Sequence, residues 1–437
     1  MRRLLLPGLL LIALVTQGPT STGLFAAETL TWEQCLQEAS RNHPDLRSAS
    51  EAVRKAEAQR SIDRGGLYPS LSVSTGGNRS GNFTDASGGS TLVSGAGGGG
   101  NGSWSAVASA SQLLYDGGKT RNTVNSDTET AKATQHAADV ISASTRYALR
   151  SAFVQLLTAQ QQVNIAREIE EIRKHSLRLI GLLYKSGTEN SGSLSKAKAD
   201  LAQAQYEAAQ AERGVEMSQA ILCTQLGRHA AFPVTVSGPF TATEASRGIP
   251  DFDRLVREHP LYQQLVAQKE ASRYGLEAAR SAFVPKVSLT SSVGNSSFGS
   301  LPPDRVGWAV GVNVAVPIYQ GGAGRATVAL SRASLNKLSA DEESGYLSLM
   351  RSLQQSWKNY RDAAANVDVQ KQYLDAAAER SKIAEAQYSA GLVSFNEWTI
   401  IEDNLVNAKK SYLTARSTLL TAEAAWVQAK GGTVEAR

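Results

Sequence analysis

From Trp308 onward the chain alternates strictly. Trp308, Val310, Val312, Val314 and Val316 are apolar, and Ala309, Gly311, Asn313 and Ala315 between them are small. A period of two predicts a strand with one apolar face, here near 308–319. Val287, Leu289 and Val293, interleaved with Ser288 and Thr290, predict a strand near 285–295. In the first half, Leu71 and Val73 alternate with Ser72 and Ser74, which predicts a strand near 69–77. A weaker alternation, with Ala106, Ala108 and Ala110 on one parity, predicts another at 104–115.

Elsewhere the period changes. Ile165, Ile169, Ile172, Ser176, Leu179 and Leu183 are separated by four and three residues in turn. So are Tyr346, Met350, Leu353, Trp357, Tyr360, Ala364, Val367, Lys371, Leu374 and Ala378. This is a heptad seam. No proline occurs from Ser70 to Phe232 or after Pro317. Long helices are therefore predicted at 119–185 and 323–389, each about 100 Å long at ~1.5 Å per residue. Helices at 194–226 and 395–430 follow, with Gly227 and Gly431 at the capping positions. Shorter helices at 44–64 and 260–282 begin on proline, which suits a first helical position.

The pattern occurs twice. Arg41-Asn42-His43-Pro44 returns as Arg257-Glu258-His259-Pro260, and Tyr68-Pro69 as Val284-Pro285, both 216 residues later. Trp104, Tyr115-Asp116-Gly117-Gly118 and Tyr184…Gly187 return as Trp308, Tyr319-Gln320-Gly321-Gly322 and Tyr388…Gly391, all 204 residues later. The twelve-residue difference falls inside the Gly/Ser-rich stretch 76–102, expected to be a long exposed loop. A constant offset on both sides of one insertion points to tandem duplication. The expected organisation is a leader at 1–27, a first repeat at 28–240 and a second at 241–437.

Met1-Arg2-Arg3 followed by the apolar run from Leu4 to Val15 and small residues up to Ala26-Ala27 reads as a secretory signal peptide. Losing it lowers the net charge from +5 to +3. No later stretch is long and apolar enough for a helical span, so any membrane entry must use strands. Four strands per chain cannot close a barrel, and an open edge in lipid leaves backbone groups unpaired. Chains must therefore pool their strands: two copies give eight and three give twelve.

Chemistry is sparse. No Lys/Arg run provides a nucleic-acid footprint. The five histidines, His43, His136, His175, His229 and His259, have no metal-ligand spacing, and no cofactor motif appears. Gly117-Gly118-Lys119-Thr120 imitates the end of a phosphate loop. Leu113 stands where the first glycine is needed, and the repeat copy Gly321-Gly322-Ala323-Gly324 lacks Lys-Thr, so a turn into a helix explains both. The expectation is a conduit and no enzyme.

A leader, a duplication, and strand–strand–long helix–short helix in each half, with Tyr-Asp-Gly-Gly and Tyr-Gln-Gly-Gly at the strand-to-helix junctions, resemble the TolC family of outer-membrane efflux and secretion channels. Tyr388-Ser389-Ala390-Gly391 is similar to the family's tip motif. The resemblance implies a mainly α fold with a membrane β portion: a homotrimer whose twelve-stranded barrel in outer-membrane lipid continues as an α-helical periplasmic barrel. It implies efflux or type I secretion with a periplasmic adaptor and an inner-membrane transporter. Trp104, Trp308, Tyr115 and Tyr319 are expected at the membrane interfaces, with the Trp308–Val316 parity facing lipid.

The resemblance also implies an aperture at the helical tip, formed around Tyr388, Gly391 and Glu397 in one turn and Tyr184, Gly187 and Ser193 in the other. Glu397 falls at the first acidic ring position. Ile400 replaces the second, with Glu402 and Asp403 just beyond. Tyr388 is the expected donor of a polar link that holds the tip closed, whereas Glu189 is expected to take no part. Cys35 and Cys223 fall in the family's equatorial belt, either as a disulfide or as two buried thiols. A pore-less adaptor or coiled-coil envelope protein is the competing reading; two Trp-marked strand pairs and a whole-chain duplication weigh against it.

Overall fold

A computed structural model describes residues 28–80, 82–84, 90–92, 101–229, 233–242, 248–298 and 306–435. The expected leader lies outside them. In chain order the elements are β1 (Glu28–Leu30), α1 (Trp32–Asn42), α2 (Pro44–Gly65), β2 (Ser70–Ser80), β3 (Asn82–Thr84), β4 (Ser90–Leu92), β5 (Asn101–Tyr115), α3 (Lys119–Lys185) and α4 (Ser191–Gln225). There follow β6 (Val234–Val236), α5 (Phe252–Glu258), α6 (Pro260–Arg280), a 3₁₀ turn (Ser281–Phe283), β7 (Lys286–Phe298), β8 (Val306–Ala315), α7 (Ala323–Ser389) and α8 (Phe395–Ala429).

α3 and α7, each of 67 residues, run the length of the helical part. Near the strands their neighbours are α2 and α6; farther away they are α4 and α8, and α3 packs on α8 to join the two hairpins. β2, β5, β7 and β8 form one antiparallel sheet in that order, with the β5–β7 pairing joining the halves. β2 and β8 are its outer strands.

Local chemistry explains the boundaries. In both His-Pro motifs the imidazole Nδ1 accepts a backbone N–H from the first turn of the following helix: Asp45 to His43 at 3.3 Å, and Leu261 to His259 at 3.1 Å. A buried histidine thus caps a helix that begins on proline. Burial lowers the His259 pKa, partly offset by a backbone contact at Gln428, which favours the neutral acceptor form. The long helices both start on a left-handed glycine, Gly118 (φ 81°) and Gly322 (φ 86°). At Gly117 (φ 67°) a Cβ would also lie 2.6 Å from Val284, so only glycine fits where the β5 end meets the β7 start. Asp116 completes the first junction by accepting from the Gly118 and Thr120 amides and the Thr120 hydroxyl. This turn, not a phosphate site, accounts for the Gly-Gly-Lys-Thr run.

Apolar burial is split among separate clusters, as expected of thin helical walls. Cys35, Phe153, Leu156, Leu222, Cys223 and Val234 pack in a middle cluster of the first half. Val256, Leu353, Trp357, Tyr360 and Trp426 do so in the second. Cys35 and Cys223 are both buried and are not joined in a disulfide, so the disulfide reading is not met. Burial, then Glu38, pushes Cys35 up to about 12, leaving it inert.

Several expectations shift. In the tip-side part of α3 the buried residues are Ala166, Ile169, Arg173, Ser176 and Ile180, so Arg173, paired with Asp403, stands where Ile172 is expected and Ile180 where Leu179 is. Helix α4 starts one turn early, where Asn190 caps it. Strand β8 stops at Ala315, before Pro317, which removes a ladder donor; Tyr319 therefore lies in the turn beyond the strand and not at its end. The stretch 76–102 is no simple loop. Its ends belong to β2 and β5, and β3 pairs with β4 inside it; the remaining residues lie outside those described.

Candidate functional site

The two helical hairpins turn at the same end of the molecule, and the turns share one backbone geometry. After α3, Gly187 (φ 74°) donates to the Tyr184 carbonyl and Thr188 to that of Leu183. After α7, Gly391 (φ 74°) donates to the Tyr388 carbonyl and Leu392 to that of Gln387. Both are glycine-terminated helix ends that satisfy the last carbonyls, and both require the left-handed glycine. The next helices are capped in turn: Asn190 Oδ1 accepts from the Ser193 amide at 3.0 Å, and Ser394 Oγ from the Glu397 amide at 3.2 Å.

The side chains on this shared frame differ. Tyr388 is 5% exposed and stacks on Trp398, with centroids 4.6 Å apart and planes 7° from parallel. Phe395 leans against both rings at 6.4 Å. The Tyr388 hydroxyl reaches into the other hairpin and donates to Glu189 Oε1 at 2.9 Å. Burial, and then this bond, raise the Tyr388 pKa, so the phenol stays protonated as a donor. Ile180, Ala197, Ala384 and Ile401 close a small apolar cluster around the rings, drawn from both hairpins. Behind the tip, α3 and α8 are tied by Arg173–Asp403 at 2.5 Å and Lys409–Glu168 at 2.6 Å, and α4 and α8 by Lys410–Glu207 at 2.6 Å. Burial alone would raise Glu207, but the bonds from Lys410 and Gln203 outweigh it and lower its pKa.

At the other end, strand register sorts the sheet into two faces, since residues opposite each other share a face. Leu71 lies opposite Ala110, and Val73 opposite Ala108; Val293 lies opposite Trp308, Leu289 opposite Val312 and Val287 opposite Val314. Most of the large apolar residues thus lie on one side, with Val107 and Leu113 of β5 on the other, and Trp308 is 80% exposed in the single chain. The other side carries Ser70, Ser72, Ser74, Ser105, Ser109, Ser111, Ser288, Thr290 and Asn313. An exposed valine and tryptophan face backed by a hydroxyl face is what a sheet between hydrocarbon and water requires.

A sequence model of the outer membrane efflux protein family matches residues 35–228 and 253–432. The chain belongs to this family. The pyoverdine export outer membrane protein OpmQ of Pseudomonas aeruginosa is 23% identical over 411 residues, covering 92% of this chain and 85% of the relative. The cation efflux system protein CusC of Escherichia coli K12 is 24% identical over 402 residues, covering 88% and 81%. A solved CusC structure has a TM-score of 0.81 at 19% identity, covering 98% of this chain and 99% of that one. The open-state MtrE channel of Neisseria gonorrhoeae has a TM-score of 0.79 at 19% identity, covering 92% and 89%. The protein is therefore an outer-membrane efflux channel and not an enzyme, seated in the outer membrane and extending into the periplasm.

Within this efflux channel the residues singled out from sequence separate. Tyr388, Gly391 and Glu397 share one turn, and Tyr184, Gly187 and Ser193 the other, but they play unequal parts. Tyr184 is 44% exposed where its repeat counterpart Tyr388 is buried. Ser193 is buried, whereas Glu397 is exposed at the third position of α8, where a carboxylate suits the helix dipole. Ile400 is exposed; Glu402 is buried and accepts from Ser381 at 2.5 Å. Glu189 departs from expectation: from the turn of the other hairpin, it is the acceptor that completes the Tyr388 link. Trp398 and Glu189 are the residues that sequence reading missed. A signal existed for Trp398, four residues after the Ser394 cap and paired with Val393 before it, the positions of a hydrophobic staple.

Proposed function

We propose that three copies of this chain close a twelve-stranded barrel in the outer membrane, continued as a helical tunnel across the periplasm. The cleaved leader at 1–27 delivers the chain, and the repeats 28–240 and 241–437 supply equal shares of wall. One observation carries the reading: the four-stranded sheet has two outer strands, β2 and β8, and an apolar face. In hydrocarbon those unpaired strand edges are untenable, so β8 of one copy must pair with β2 of the next until the ring closes. Closure by a repeated heterologous contact is what a cyclic oligomer uses. Trp104 and Trp308 mark one membrane interface, and Tyr115 and Tyr319 the other.

The periplasmic tip is the gate. Tyr388 to Glu189 is the link that holds the hairpins closed, with Gly391 and Gly187 setting the turns and Glu397 facing the aperture. Relatives named for pyoverdine export and for cation efflux support export of small cargo. Cargo enters at the tip from an inner-membrane transporter through a periplasmic adaptor. Native mass spectrometry of the detergent-extracted protein tests the assembly: a species of three chains is expected, and a stable monomer or dimer would refute it.

A further inference from the structure

Charge is distributed unevenly between the two ends of the channel. The four long strands β2, β5, β7 and β8 contain no aspartate or glutamate; their charged residues are Arg79 and Lys286. Lys286 opens β7 and lies opposite Ala315, on the parity of Ser288, Thr290, Ser292 and Asn313. It therefore belongs to the hydroxyl face, at the end of the sheet nearest the helices. It is exposed and has no ion pair among the described residues. The carboxylate nearest the end of β5, Asp116, is occupied by the Gly118 and Thr120 amides and the Thr120 hydroxyl. The serines of this face spend their hydrogen bonds locally: Ser72 Oγ meets Ser109 Oγ at 3.0 Å, and Ser74, Ser105 and Thr290 donate to carbonyls of the facing strand.

We propose that Lys286 sets the charge preference of the membrane portion, which passes neutral and anionic solutes and disfavours free cations. The inference rests on the barrel reading above, in which the hydroxyl face lines the lumen. Three copies then place a ring of three ammonium groups where the helical tunnel opens into the barrel, and no strand carboxylate opposes them. A ring of lysines raises the local anion concentration and lowers that of cations. The lumen is wet, so the effect reaches about 10 Å at 0.1 M salt and about 3 Å at 1 M. The cargo class this favours is an acidic or neutral organic molecule, or a metal carried within an anionic chelate, in preference to a bare metal ion.

The test is reversal-potential measurement on the full-length trimer in planar bilayers under a KCl gradient. It is made in a Tyr388→Phe background so that the tip does not dominate the resistance. At a mean of about 0.1 M salt, Lys286→Glu is expected to lower the chloride-to-potassium permeability ratio by about twofold or more, with Lys286→Gln intermediate; near 1 M the differences should collapse. In parallel, Ser292→Cys and Val310→Cys are treated with a membrane-impermeant charged thiol reagent, against a background in which Cys35 and Cys223 are buried. Ser292→Cys should react and change conductance, and Val310→Cys should not. If Ser292→Cys reacts while both Lys286 variants keep the parent reversal potential at low salt, the inference fails and the barrel reading stands. If Val310→Cys reacts from the lumen and Ser292→Cys does not, the assignment of faces fails, and the inference with it.

Discussion

Tyr388 and Glu189, 199 residues apart in the chain, meet hydroxyl to carboxylate at 2.9 Å between the two hairpin turns. A hydrogen bond to a charged acceptor contributes about 1.5–3 kcal/mol, and a symmetric assembly would repeat it in each copy. Tyr388→Phe keeps the ring stacked on Trp398 and removes only the donor. It should raise basal conductance in planar bilayers with the oligomer intact on native gels. Glu189→Ala should act in the same direction, and the double variant should exceed neither single change by much, since each removes one partner of the same bond. Strict additivity would show that the two residues act separately.

Glu397 is exposed in the first turn of α8, beside the Tyr388 ring cluster. If three such carboxylates surround the tip axis, Glu397→Ala should reduce potassium-over-chloride preference, opposite in sign to the effect of Lys286→Glu there and separable from it. Unchanged selectivity would leave Glu397 as a carboxylate that merely complements the helix dipole.

Val312 and Asn313 are neighbours on opposite faces of β8. An arginine on the lipid side near the midplane costs roughly 2–4 kcal/mol, against far less in a wet lumen. Val312→Arg should therefore lower the yield of assembled protein in outer-membrane fractions much more than Asn313→Arg. Equal yields would contradict the sorting of faces.

Asp127 on α3 lies against Asp63 on α2, whose Oδ2 accepts from Gln59. Asp127 Oδ2 is buried without a donor. Burial and then Asp63 raise the Asp127 pKa to about 6 from an ordinary 3.8. The folded state therefore binds this proton more tightly than the unfolded one. The destabilisation is absent below about pH 4, grows through the interval up to about pH 6 and is complete above it. Asp127→Asn should raise the melting temperature at about pH 7.5 and leave it nearly unchanged at about pH 4. A stabilisation of equal size at both values would place the effect elsewhere.

Much of this architecture is legible in the residues. Gly118 and Gly322 begin the long helices because a left-handed residue is needed there, and the His43-Pro44 and His259-Pro260 pairs are cap and first turn of helices whose recurrence is visible by eye. The Trp308–Val314 alternation marks its strand because the large apolar residues recur on one face only, exposed in the single chain. The tip is less legible. Its key contact joins residues from different repeats, and Glu189 corresponds to Val393 in the other copy, so internal comparison hides it. Arg173 shows the same limit: heptad counting prefers Ile172, but Arg173 is the buried residue, paired with Asp403 of α8, a contact that counting along one helix does not show.

If Tyr388 and Glu189 close the periplasmic tip of a conducting tunnel, removing the phenolic hydroxyl alone must open it. Single-channel recording of the purified full-length protein, with Tyr388→Phe beside it, tests this most directly. Rare, small openings are expected for the natural protein and larger or longer-lived ones for Tyr388→Phe. Intact trimers of both forms that insert into the bilayer and never conduct, or that conduct identically, would contradict it.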